Sequence, residues 1–236
     1  MSEYSGHENL ETATKRKNFT KWVLDEVSPV LKGNILEVGS GLGTFSEYII
    51  KRFPESSITL SDVSHIYVKN LEEKFGSKKV DVYKLDLNDS EDFQKISHKK
   101  FDSIIAINVL EHIKDDKLAL RQLHDLLNLD GTLVILVPAN KFLYNVIDKS
   151  IDHWRRYTKD ELRTKLQECH FSIKRMFSFN ILGMIGWYVN GNICKNPVIN
   201  KQASGIFDKL IPIMKMVEKL LGRKIGLSII CFAKKV

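Results

Sequence analysis

Cysteine is scarce and scattered: Cys169, Cys194 and Cys231 stand far apart, with no C-x-x-C pair. That spacing suggests neither a disulfide framework nor a zinc site, so no metal is expected and a reducing, cytoplasmic compartment fits best. Long apolar runs are missing too. No stretch reaches the length of a membrane-spanning helix, and Met1 to Leu10 is polar without the apolar core of a signal peptide, so neither a transmembrane span nor secretion by that route is expected. Internal repeats and low-complexity tracts are absent, which removes solenoids and disordered linkers from consideration. Net charge is missing from most of the chain. Nine Lys and Arg lie between Lys195 and Val236 against only Asp208 and Glu218, which accounts for the whole formal charge of +7. A basic segment of this kind suits an acidic substrate, an anionic lipid surface or nucleic acid, or is simply a solvated helix face.

What is present is a 236-residue chain, 43% hydrophobic, long enough for one sizeable core. Short apolar runs alternate with helical periodicity in a β, α, β, α rhythm, which predicts a parallel sheet covered on both faces. Phe19, Trp22, Val23, Val27 and Val30 recur at helical spacing and predict an N-terminal helix over about 14–31, lying across the sheet or over a ligand. Strands are predicted at Asn34 to Val38, Ser57 to Ser61, Val80 to Leu85, Phe101 to Asn108 and Thr132 to Val137. Helices are expected at Thr44 to Arg52, Ser64 to Phe75 and Asp115 to Leu127, with an acidic loop at Asp86 to Asp92. Thr158 and Glu161 form a capping-box pattern ahead of a helix to Glu168; Phe171 to Phe179 and Ile225 to Ala233 supply two last strands. Residues 139–157 and 180–222 break the rhythm as insertions. In the second, Ile206, Phe207, Leu210, Ile211, Met214, Val217, Leu220 and Leu221 share a helical stripe with Lys209, Lys215 and Lys219 outside it, and Pro212 is expected to kink or start that helix.

The strongest local signal is Glu37-Val38-Gly39-Ser40-Gly41-Leu42-Gly43, directly after a strand and before a helix. Glycines there let the backbone turn sharply and let a ligand lie against main-chain N–H groups. A related turn seats pyrophosphate in dinucleotide-binding folds, but Glu37 would repel phosphates and attract a cationic amino-acid ligand. Asp62, at the end of the second strand, can accept both hydroxyls of a ribose, beside Val63. Asp86 ends the third strand, where it could accept from an adenine amine flanked by Leu87, or merely start a turn.

Glu37 to Gly43, Asp62, Leu85-Asp86 and Asn108-Val109-Leu110-Glu111-His112-Ile113 together resemble the ordered motif set of class I S-adenosylmethionine-dependent methyltransferases, especially those acting on small molecules and lipids. The resemblance covers about residues 33 to 138. It implies a single Rossmann-like, doubly wound α/β domain over 1–236, with a seven-stranded sheet whose last strand is antiparallel and helical insertions over the active site. It also implies S-adenosylmethionine as cofactor and S-adenosylhomocysteine as product. Glu37, Gly39, Ser40, Gly41 and Gly43 would face the amino-acid part of the cofactor, Asp62 and Val63 the ribose, and Asp86 and Leu87 the adenine. Asn108 would face the methionine moiety, with His112 beside the methyl donor.

Asp152-His153-Trp154-Arg155-Arg156-Tyr157-Thr158 resembles the H-x-R-R-Y segment of a subgroup associated with cell-surface glycan and lipid biosynthesis. Arg155, Arg156 and Tyr157 could bind a carboxylate or phosphate of the acceptor, and His153 could act as a general base, or the cluster could be a structural knot. The acceptor expected is a small molecule, glycan or lipid-linked intermediate. Peripheral contact with an anionic membrane is a further expectation, from the apolar run Phe179 to Val189 and the basic stretch after it. An RNA methyltransferase using the basic segment is an alternative: amino-directed base methylation is disfavoured, because an N-P-P-Y-like segment does not stand where Asn108 to Glu111 do, while ribose or ring-carbon methylation of RNA stays open. A non-catalytic S-adenosylmethionine-binding module, an NAD-dependent oxidoreductase and an aminopropyl transferase compete with it as well. The oxidoreductase would want glycine at Thr44, and the aminopropyl transferase more acid around Asn108 to His112.

Overall fold

The computed structural model describes residues 7–76, 80–198 and 201–236. Its short runs of branched apolar residues form seven strands: β1 (Ile35–Val38), β2 (Ile58–Asp62), β3 (Val80–Lys84), β4 (Phe101–Ile107), β5 (Leu127–Pro138), β6 (Phe171–Phe179) and β7 (Ser228–Lys235). β1 and β2 are buried along their whole length, as strands covered on both faces must be. The sheet order is β3-β2-β1-β4-β5-β7-β6. β1 to β5 pair in parallel, and β7 runs antiparallel to both β5 and β6. This is the doubly wound sheet the sequence predicts. The strand order reverses between β1 and β4, so a crevice opens at their carboxyl ends, where ligands of such sheets bind.

Ten helices accompany the strands among the described residues: α1 (His7–Thr14), α2 (Lys17–Val27), α3 (Thr44–Arg52), α4 (His65–Phe75), α5 (Ser90–Ile96), α6 (Asp116–Leu126), α7 (Val146–Ser150), α8 (Lys159–Glu168), α9 (Ile181–Tyr188) and α10 (Lys201–Leu220). Successive strand residues point to opposite faces and feed two cores. Leu36, Ile104 and Ile135 meet Leu120 and Leu123 of α6 and Leu162 and Leu166 of α8. Ile35, Leu60 and Ile105 share the other layer with Trp22, Val23 and Val27 of α2, Ile49, Leu71 and Phe75, and with Ile211 and Met214 of α10. No described helix is long and apolar enough to cross a membrane.

Two departures from the sequence expectations, and one feature the sequence left open, have physical causes. The helix expected over 14–31 is shorter, Lys17–Val27 followed by a 3-10 turn at Ser28–Val30, with α1 ahead of it; the Asp208 carboxylate of α10 accepts the backbone N–H groups of Asn18 and Phe19 at 3.1 and 2.8 Å and so caps the start at Lys17. The acidic loop holds α5, whose N-cap Asp89 accepts the Glu91 N–H at 2.8 Å.

A third feature concerns α10, within which Pro212 lies and whose apolar stripe is divided between core and solvent. Asp208 and Glu218 face inward, Glu218 accepting the N–H groups of Asn180 and Ile181 at the start of α9, at 2.6 and 3.2 Å. Ile211 and Met214 lie between them and are buried, whereas Ile206, Leu210, Leu220 and Leu221 are exposed. Two acids that cap other helices thus rotate half of the apolar stripe into solvent.

Candidate active site

The turn after β1 is set by backbone strain that only glycine bears easily. Gly39 has φ +72, and a Cβ there would sit 2.6 Å from Cγ2 of Val109, the residue that follows Asn108 beyond β4. A Gly39→Ala change is therefore expected to lower stability by roughly 1–2 kcal/mol and cofactor affinity by at least ~10-fold; thermal melts and calorimetric titration with S-adenosylhomocysteine check both. Ser40 is buried and its N–H donates to the Ser61 carbonyl at 2.8 Å, so its backbone ties the turn to β2. Leu10 of α1 lies 3.3 Å from where a Cβ of Gly41 would be, placing the N-terminal helix against this turn.

Asp62 closes the same turn: its Oδ2 accepts the Gly41 N–H at 2.8 Å and its Oδ1 the Ser64 N–H at 2.9 Å. A carboxylate has about four acceptor positions, so these bonds leave room for hydroxyls. Val63, beside it, is exposed. Glu37 is buried, with Oε2 accepting from the Ser46 hydroxyl at 2.5 Å. Burial outweighs that bond and pushes its carboxyl up to about 7.

On the adenine side, Asp86 adopts the turn-forming role: Oδ1 accepts the Asn88 N–H at 2.8 Å and its side-chain amide at 3.0 Å. Leu87 is corrected, for it is a core residue packed with Leu85 and Ile96 and not a free flank. Asn108 is exposed at the carboxyl end of β4 with φ +53, a left-handed conformation that asparagine adopts more readily than other non-glycine residues.

Beyond β4, the acceptor-side residues form a buried network. Asp148 of α7 accepts from both Arg156 and His153: Arg156 Nε lies 2.9 and 3.0 Å from its two oxygens, and His153 Nδ1 lies 2.8 Å from Oδ1. Although burial acts upward, these partners hold the Asp148 carboxyl below the usual range. His153 Nε2 faces Glu111 Oε1 at 3.7 Å, beyond hydrogen-bond reach. Both Glu111 oxygens are buried without a hydrogen-bond partner, and burial pushes its carboxyl up to about 7. His112 packs edge-on against His153 at 4.7 Å, and burial lowers its imidazole to about 4.

This geometry corrects three expectations. The two nitrogens of His153 face Asp148 and Glu111, which leaves neither directed at an acceptor as a base. Arg156 is buried, bonded also to the Ala139 carbonyl at 3.0 Å and stacked on Trp187. Tyr157 is buried and donates toward Asp116 at 2.8 Å. Both serve as the structural knot, since their polar groups are already used. Arg155 lines an open groove of about 490 Å³ with Lys141, Tyr144, Trp154, Arg156, Glu161 and Lys165, and it also pairs with Asp116 at 2.7 Å.

Residues 36–133 match the family model described as a methyltransferase domain. The chain is 30% identical over 146 residues to malonyl-[acyl-carrier protein] O-methyltransferase 1 of Ilyobacter polytropus, covering 59% of this chain and 53% of that protein. The matched segment and the fold together support a class I S-adenosylmethionine-dependent methyltransferase. It spans about half the length of the malonyl-carrier-protein methyltransferases it matches. Two solved methyltransferases share this fold. One from Archaeoglobus fulgidus aligns with a TM-score of 0.62 at 20% identity, over 93% of this chain and 94% of that one. One from Mesorhizobium loti aligns with a TM-score of 0.63 at 15% identity, over 92% and 98%.

A methyltransferase of this class must receive a cofactor that carries an ammonium and a sulfonium, and the residues present fit it. The charge that the end of β1 offers is the buried carboxyl of Glu37, whose shortest hydrogen bond is the one from Ser46. Sequence reasoning missed three participants. Ser46 lies on the first turn of α3 facing Glu37, a direction that helical spacing from Glu37 does not reveal. Asp148 and Asp116 read as ordinary acids in polar helices; only the tertiary structure brings Arg156 to the first, and Arg155, Tyr157 and Lys165 to the second.

Proposed function

We propose that this methyltransferase acts on a small-molecule, glycan or lipid-linked acceptor that carries an anionic group and is met at an anionic lipid surface. The cofactor supplies a methyl carbon on a sulfonium, which leaves as the thioether S-adenosylhomocysteine. Glu37 holds the cofactor's ammonium, Asp62 its ribose, Asp86 its adenine amine, and Asn108 and His112 border the methyl-bearing end. In-line displacement depends on alignment more than on a strong catalyst. The buried knot of Asp148, Arg156 and Tyr157 therefore acts as a rigid wall that aims the acceptor. Arg155, Lys141 and Lys165 border the neighbouring groove; paired with Asp116 and Glu161, they would exchange those partners for a phosphate or carboxylate of the acceptor.

The observation that carries the lipid surface is the solvent-facing stripe of α10. Ile206, Leu210, Ile213, Met216 and Leu220 are exposed at helical spacing, with Ile185, Tyr188 and Ile193 exposed on and after α9, which packs beside it. Lys209 and Lys219 are also exposed on α10. Lys215 and Arg223 are engaged with Asp25 and Glu26, so only part of the basic segment is available to lipid. Burying each aliphatic side chain contributes roughly 1.5–3 kcal/mol.

Wild-type protein is expected to float with acidic vesicles at low salt, and a Leu210→Glu, Ile213→Glu variant to lose at least ~10-fold of that binding. No flotation of the wild type ends the lipid reading. A second reading, a carrier-bound acyl acceptor, is supported by the similarity to malonyl-[acyl-carrier protein] O-methyltransferase 1. Methyl transfer to malonyl-carrier protein, together with failure to float, would favour it.

A further inference from the structure

We propose that Glu111, His112 and His153 form a site for one divalent transition metal of the zinc and iron(II) class. Sequence spacing hides it, because two ligands stand at the end of β4 and the third lies 42 residues later, after α7. The fold brings their ligand atoms within 4.8 Å of one another. Two histidines and one carboxylate are a ligand set that zinc and iron(II) accept in catalytic centres, with positions left open for a further ligand.

Two independent observations point to a cation. The first is the Glu111 carboxylate: it is fully buried and neither oxygen has a hydrogen-bond partner. A buried anion needs a positive partner, and the neighbouring Arg156 side chain is committed to Asp148 and the Ala139 carbonyl. The second is the outer shell. His153 is held through Nδ1 by the Asp148 carboxylate at 2.8 Å, leaving Nε2 turned toward Glu111. His112 is hydrogen-bonded to the Asp152 backbone. Carboxylates and backbone carbonyls that fix the outer nitrogens of ligating imidazoles are the usual second shell of metal sites.

Ligand atoms about 2.1 Å from a zinc ion lie roughly 3.4 Å apart, so separations of up to 4.8 Å must shorten by up to about 1.4 Å on loading. The site adjoins the end of β4, the same edge of the sheet that carries Asn108. On the methyl-transfer reading, its open position would take an oxygen of the acceptor.

The test uses the full chain stripped with a chelator and titrated with cobalt(II), read by its visible absorption, then with zinc in competition. One equivalent of cobalt displaced by one of zinc is expected. Glu111→Gln and His112→Ala should each weaken binding by at least ~100-fold, more than a second-shell change costs, while keeping the circular dichroism of the parent. Absence of cobalt uptake by the wild type, or equal uptake by folded variants, overturns the proposal. Should one variant fail to fold, the other decides. Calorimetric binding of S-adenosylhomocysteine to the stripped protein is read in parallel, so the metal proposal and the methyl-transfer reading fail separately.

Discussion

Asp148→Ala is expected to destabilise the protein by about 3–5 kcal/mol, the cost of leaving buried charges without their partner. The change strands the Arg156 guanidinium, which is 2% exposed, and frees the His153 ring from the bond that orients it. It also removes the bond from the Asn145 N–H that starts α7, 3.0 Å long. For a domain of this size each kcal/mol shifts the melting temperature by about 2–4 °C, so a fall of roughly 6–20 °C should appear in a thermal melt. Asp148→Asn should fall between this variant and the parent, because the amide keeps the shape and part of the hydrogen bonding. Equal melting of Asp148→Ala and wild type would mean that the Asp148–Arg156 pair contributes nothing net.

The same carboxyl sets a direction with pH. Its folded value lies below the unfolded one, so its contribution is complete above the unfolded carboxylate range and is lost as pH falls through the folded value. Removing Asp148 should therefore narrow the gap between variant and wild type in strong acid.

The central sheet was legible in the sequence because its signals are local. Runs such as Ile35 to Val38 and Phe101 to Ile107 are bounded by glycine, asparagine and aspartate, and a parallel strand buried on both faces reads as a continuous apolar run. The turn from Gly39 to Gly43 was legible for the same reason, since three glycines at that spacing answer a backbone demand. What failed were judgements that depend on distant partners. The break between α1 and α2 is written in Asp208, 190 residues away from Asn18. The orientation of α10, which the sequence left open, is fixed by Asp208 and Glu218 capping two other helices. His153, Arg156 and Tyr157 carried the right residue types for a substrate site, but their partners Asp148 and Asp116 belong to other segments and turn them inward.

Glu37 offers the sharpest test of the cofactor end. Burial lifts its carboxyl from an ordinary value of 4.5 to about 7, so the folded apoprotein holds this proton more tightly than the unfolded chain does. The apoprotein consequently loses stability from this group as pH rises from about 4.5 through 7. A cofactor ammonium needs the ionised form, so binding must release the proton wherever the apoprotein still carries it. Affinity for S-adenosylmethionine is then expected to rise about 10-fold from pH 6 to 7.5 and to level off above, since one pH unit below the transition corresponds to about 1.4 kcal/mol. Calorimetry near pH 7 in buffers of different ionisation heat should register release of about half a proton. Glu37→Gln keeps the volume and a partner for Ser46 but removes the charge. It should cost about 1.5–3 kcal/mol of binding, roughly 10- to 100-fold, the worth of a hydrogen bond to a charged group. It should also flatten the pH profile. A glutamine variant that binds as tightly as wild type, with the slope intact, would assign the ammonium to another group and the titration to another carboxyl. Loss of affinity with the slope retained would separate the two roles, leaving Glu37 in contact with the cofactor but moving the proton elsewhere, with the equally buried Glu111 the first group to examine.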